Sequence, residues 1–111
     1  MEQIDEGTYQ VTLHEIVTLE ITPIEVNPDF IAASLDGTTL TSPVGPNPVF
    51  KFTVIKAPPL THFVMFEASF PGAPPEARFD VEVSGSEGGN FMFSIAKADG
   101  VHDPVVRFRV T

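Results

Sequence analysis

The chain has 111 residues with ten phenylalanines, eleven prolines, no cysteine and a formal net charge of −9. A chain of that size fits one domain that buries about two-thirds of its unfolded surface, enough for a core without covalent staples. Absent thiols exclude disulfides and thiolate metal sites, and the charge argues against nucleic acid and anionic membrane, whose recognition depends on clustered Lys and Arg.

The charge is unevenly placed. Residues 1–36 hold eight acids and no Lys or Arg, whereas residues 37–111 hold seven acids and six bases. An acidic surface follows, with cross-strand pairing to Arg107 and Arg109 as its simplest use and a basic partner or a cation as the sharper one. Proline at about twice its average usage argues against long helices.

In chain order, residues 1–7 are expected to be a flexible terminus and residues 8–111 a single β-sandwich domain. Tyr9, Val11 and Leu13 share one phase of a period-two alternation, which Val17, Leu19 and Ile21 resume; that period marks strands with one face in a core. Glu15 interrupts the phase, which predicts two strands, or one strand bulged so that Glu15 escapes. Pro23 stops the ladder, and Asn27-Pro28-Asp29 is a turn in which side-chain oxygens bond nearby backbone.

Residues 30–42 read as a short hairpin about Asp36-Gly37, two residues that tolerate the positive φ of a tight turn. Phe50, Phe52 and Val54 form the next inward row, followed across 55–60 by the run THFVMFEASF. Closing 50–70 as a hairpin sets Thr53 opposite Phe63 and Lys51 opposite Met65. After PGAPPEA come Phe79, Val81 and Val83, the loop SGSEGGN, then Phe91, Phe93 and Ile95. The final strand turns Val106, Phe108 and Val110 inward and Arg107 and Arg109 outward.

These segments predict an all-β, antiparallel two-sheet β-sandwich of seven to nine strands, immunoglobulin-like in the loose sense of its layers. The paired cysteines and core tryptophan of true immunoglobulin domains are absent.

The glycine-rich loop invites a phosphate reading, but a phosphate cradle needs a following Lys-Ser/Thr and a helix N-terminus. Here a strand follows. Pairing Val83 with Phe91 brings Val81 opposite Phe93 and Phe79 opposite Ile95, a self-consistent hairpin with residues 85–89 as its tip.

Three histidines are candidates for chemistry. His14 reads as exposed and His62 as a rim-of-core imidazole with one backbone partner. His102 sits in ADGVHDP, where Asp99, His102 and Asp103 could hold Ca²⁺ or, with the imidazole, Zn²⁺; no other cofactor is expected. With no cysteine and no Gly-x-Ser-x-Gly, an enzyme is not expected.

Recognition is expected at one of two surfaces. If each strand crosses the sandwich, the loops at 27–29, 42–48, 71–77 and 97–104 gather at one proline-braced end presenting Asn27, Asp29 and Glu76. Alternatively, Phe63, Met65, Met92 and Ile55 lie on the outward phase and would leave an apolar sheet face to be covered.

The expected function is a non-catalytic protein-binding or assembly module with a protein partner or a second copy, binding no nucleic acid. The alternative is a cation-binding domain or small metalloenzyme on Asp99, His102 and Asp103. No basic start, apolar h-region or span-length run occurs, so a soluble protein without membrane insertion is expected, with bacterial extracytoplasmic and cytoplasmic settings both open.

Overall fold

The computed structural model describes residues 1–40, 47–54, 61–72 and 76–110. Among the described residues the chain forms ten strands and no helix, and so no helix long and apolar enough to cross a membrane. They are β1 (Glu2–Asp5), β2 (Thr8–Val11), β3 (Ile16–Ile24), β4 (Phe30–Leu35), β5 (Thr38–Leu40), β6 (Val49–Thr53), β7 (Thr61–Ser69), β8 (Glu76–Gly85), β9 (Asn90–Ala98) and β10 (Asp103–Val110). One sheet has the order β1-β2-β10-β7-β4-β5 and the other β6-β3-β8-β9.

The two sheets share one buried cluster, built from the rows that alternation marks. Val17, Leu19 and Ile21 of β3, Phe79, Val81 and Val83 of β8, and Phe50 and Phe52 of β6 come from the four-stranded sheet. Tyr9, Val64, Phe66, Ala68, Val106 and Phe108 come from the other. Ring pairs bridge the layers: Phe66 meets Phe79 edge-on at 5.7 Å, and Phe52 meets Phe108 at 5.3 Å. Such T-shaped pairs set the positive ring edge against the negative face, a gain beyond area burial alone.

Two turns form where the sequence puts them, each for a backbone reason. Asp36 and Gly37 have φ of 50° and 84°, the left-handed pair of a two-residue hairpin, with Leu35 opposite Thr38. The β8–β9 hairpin pairs Val83 with Phe91, Val81 with Phe93 and Phe79 with Ile95.

The structure corrects four expectations. First, the strands number ten, one of them Glu2–Asp5 paired with β2; all four of its residues are exposed, so no buried row announced it. Second, the sandwich is not purely antiparallel: β10 runs parallel to β2, Phe108 facing Tyr9. Alternation has the same period in either direction, so it carries no sign of this.

Third, residues 50–70 do not close as a hairpin. β6 pairs with β3, Lys51 facing Thr18, while β7 lies in the other sheet between β4 and β10. Fourth, Glu15 does not escape to solvent; it is 0% exposed.

Candidate functional site

Three regions hold the residues with functional potential. The first is the end of the sandwich that holds the described parts of the expected loops, where three backbone bonds tie neighbouring segments. Asp29 N donates to Ser69 O at 2.6 Å, Gly100 N to Ala68 O at 2.9 Å and Ile21 N to Pro48 O at 3.0 Å. Asn27, Asp29 and Glu76 are exposed there; residues 41–46 and 73–75 lie outside the described residues.

Asp99 lies at this end, whereas His102 and Asp103 sit farther along the sheet, Asp103 opposite Phe66 in the middle of β7, so the three do not form a centre. The Asp99 carboxylate accepts the Phe70 N–H at 3.0 Å, and His102 Nε2 lies 3.4 Å from Ser34 Oγ. Asp103 takes the buried Lys97 ammonium, which supplies the positive charge a cation would otherwise bring. Among the described residues no group of three His, Cys, Asp or Glu side chains is placed to hold a metal.

The second region is the outer surface of the sheets. Phe63 is 38% exposed and Met65 half-buried on the outside of the six-stranded sheet. The Arg107 guanidinium lies 6.0 Å from the Phe63 ring centroid, a cation–π distance, and Ser34 stands opposite Met65. The expected apolar face thus holds Phe63 and Met65 with Pro104 opposite Met65 and Phe30 farther along, interrupted by Arg107, Ser34 and Ser69. Met92 is 63% exposed on β9 of the other sheet, so it does not join Phe63 and Met65; Ile55 lies outside the described residues. The expected pairing of Arg107 and Arg109 with the acidic first third does not appear in the described ion pairs, and the two face Thr8 and Gln10 across β2.

The third region was invisible to spacing arguments. At the opposite end of the sandwich, a cleft of about 300 Å³ is lined by Leu35, Asp36, Thr38, Phe52, Thr53, Val54 and His62. The expected backbone partner of His62 is instead a carboxylate: His62 Nδ1 lies 2.5 Å from Asp36 Oδ2, while Asp36 Oδ1 accepts the Phe63 N–H at 2.9 Å.

The left-handed turn at Asp36 aims that carboxylate across the strand pair, so two residues 26 apart in sequence meet. His62 itself is 6% exposed, and its Nε2 is buried with no hydrogen-bond partner among the described residues. An Asp on a hairpin turn followed by an inward His on a later strand was the available signal, and only pairing could join the two.

Comparison with family models, with curated proteins and with solved structures gives no match to this chain.

Proposed function

We propose that the protein is a non-catalytic assembly module that associates by strand addition at β9, its natural occupant being the β9 of a second copy. The reading is carried by one observation: among the described residues β9 is the least defended edge, its one charge being Lys97, which points inward to Asp103. Natural sheets blunt their edges with charge, proline, bulges or brevity.

The other three edges use these devices. β1 carries Glu2 and Asp5 and a register shift, β5 has three residues, and β6 follows Pro48 and exposes Lys51. β9 runs nine residues in unbroken register with β8 from Glu76–Ala98 to Ser84–Asn90. Its outward residues Asn90, Met92, Ser94, Ala96 and Ala98 carry no charge and no proline.

The backbone chemistry states what such a partner is. Gly85 N donates to Gly89 O at 3.2 Å, and antiparallel alternation from that bond turns the polar groups of 91, 93, 95 and 97 toward β8. Those of Met92, Ser94 and Ala96 then face away from the sheet and await an extended strand. A second β9 laid antiparallel about a two-fold axis near Ser94 brings no like charges together, extends cover over half-buried Phe91 and Ile95, and consumes both open edges in one closed, isologous contact.

Of the contact residues expected from sequence, Met92 belongs to this surface. The layering is read as immunoglobulin-like only loosely, as two packed sheets with loops at both ends.

Native mass spectrometry and light scattering test the reading. Wild type is expected as a dimer at micromolar concentration. Ala96→Pro removes an N–H that β8 does not use, and Met92→Lys puts charge on the edge; each gives monomers with an unchanged far-ultraviolet circular dichroism spectrum. Phe63→Asp, on the other sheet, leaves the dimer intact. A monomeric wild type, or a dimer that survives both edge substitutions, overturns the proposal.

A further inference from the structure

We infer that copies of this chain also stack face to face: the outer surface of the six-stranded sheet of one copy seats on the outer surface of the four-stranded sheet of the next, Arg107 meeting Glu82 and Arg109 meeting Asp80. The contact uses sheet faces and not the β9 edge, so it is independent of the strand-addition dimer.

Each face carries charge that its own copy leaves unpaired. On β10, Arg107 and Arg109 are exposed and two residues apart, with Thr8 and Gln10 opposite on β2 and Phe63 and Thr61 opposite on β7. In a chain of net charge −9, neither guanidinium has an acid as ion-pair partner among the described residues. On β8, Asp80 and Glu82 stand two residues apart on the outer face, and Glu82 lies directly opposite Glu20. Like charges so placed destabilise a sheet, and no described residue of the same copy forms an ion pair with either glutamate.

The match extends beyond charge. Residues i and i+2 of a strand lie about 6.7 Å apart and neighbouring strands about 4.8 Å apart, so the two faces present the same grid. In it the row Arg107, Phe63 corresponds to Glu82, Met92, and the row Arg109, Thr61 to Asp80, Ser94. Placing the arginines on the acids therefore lays exposed Phe63 on exposed Met92 and Thr61 on Ser94. Arg, Phe and Met are residue types enriched where protein surfaces meet.

Handedness permits the overlay. Arg107 N donates to Gly7 O on the β2 side at 2.8 Å, and alternation from the Gly85–Gly89 bond turns the backbone groups of Glu82 toward β3. Seen from outside with β10 or β8 running upward, the strand that bears the apolar residue, β7 or β9, therefore lies to the same side in both faces. Turning one face onto the other with β8 antiparallel to β10 brings β9 over β7. The same overlay sets Glu20 over Thr8, beside Arg107, and brings Lys51 of β6 within one row of Asp5 of β1. Aligned sheets pack in this way, their strand directions within about 30°.

Because the two faces differ, the contact is heterologous and repeats from copy to copy instead of closing. Copies of net charge −9 repel at long range, which makes stacking the weaker contact and leaves the dimer as the micromolar species.

Sedimentation velocity from micromolar to millimolar chain concentration tests the inference. The mass of the wild type is expected to rise beyond the dimer, and in Ala96→Pro, whose edge is closed, to rise from the monomer. Arg107→Glu/Arg109→Glu and Asp80→Lys/Glu82→Lys each put one sign of charge on both faces and should weaken stacking about tenfold or more, with unchanged far-ultraviolet circular dichroism spectra. Mixed together, the two variants regain complementary faces and should associate again. Glu25→Lys/Asp29→Lys, an equal charge change away from both faces, should not restore association to the arginine variant. A wild type that stays at the dimer up to millimolar concentration overturns the inference. So does a mixture that associates no better than its components, or a control that restores association equally well.

Discussion

The α-ammonium of Met1 lies 3.2 Å from the Glu15 carboxylate, a pair whose side chains are both 0% exposed. The glycine-rich tip makes room for it. Met1 N also donates to Gly88 O at 2.9 Å, Glu87 N donates to Glu15 Oε2 at 3.3 Å, and a Cβ at Gly89 would sit 2.5 Å from Met1 O. The loop that resembles a phosphate cradle therefore serves the chain's own ion pair, and its glycines permit a close backbone approach.

Burial pushes the Glu15 carboxyl up, but the Thr12 N–H, the α-ammonium and the Glu87 N–H outweigh it and hold its pKa below the ordinary carboxylate value. A lowered folded pKa gives stability that is full above the unfolded value and is lost as pH falls through the folded one. Glu15→Gln is expected to cost about 2 kcal/mol near neutral pH, less than the roughly 3–5 of a fully enclosed pair, because the ammonium keeps Gly88 O. Urea melts across pH should show the gap between wild type and variant widest above the ordinary carboxylate range and closing below it. A gap independent of pH would contradict the charge assignment.

Tyr9 offers the opposite case. Its ring is fully buried among Phe91, Phe93 and Phe108 at centroid distances of 5.4, 6.5 and 6.0 Å, yet its hydroxyl makes no well-formed hydrogen bond among the described residues and has only a weak approach from the Gly7 backbone. An unmade hydrogen bond of this kind costs about 1–3 kcal/mol in desolvation. Tyr9→Phe keeps every ring contact and removes the orphan. Thermal melts should show the variant as stable as wild type or more so, by up to about 1 kcal/mol; a clear loss would reveal a partner for the hydroxyl.

Lys97 is 4% exposed, its ammonium 5.0 Å from the Phe66 ring centroid and paired with Asp103. The Asp103 side chain is 58% exposed, so removing the lysine charge leaves no buried ion behind. Lys97→Met fills the same space with an apolar chain and is expected to be neutral or stabilising. Lys97→Ala opens a cavity beside Phe66 and should cost about 2 kcal/mol or more. Parallel denaturant melts separate the two outcomes. If both variants lose the same amount, the charge matters more than the packing.

Much of the fold was legible in particular residues. Val83, Phe91 and the glycines between them fixed a hairpin to the residue, because period two and a turn leave one register that buries both rows. Asp36-Gly37 announced its turn through the φ that each tolerates. Glu15 was legible only as an interruption: the sequence marks a charge in an inward slot, but the ammonium that neutralises it comes from the other end of a folded path.

Alternation along the chain determined which side chains point inward, and proline with glycine determined where the chain reverses. Both are local properties, set by φ preferences and by the two-residue pleat. Which strands become neighbours was decided in three dimensions. The parallel β2–β10 pair, the separation of β6 from β7, the open edge of β9 and the meeting of Asp36 with His62 all depend on how two sheets share one core, and a strand's own residues present the same alternating face to any neighbour that covers it.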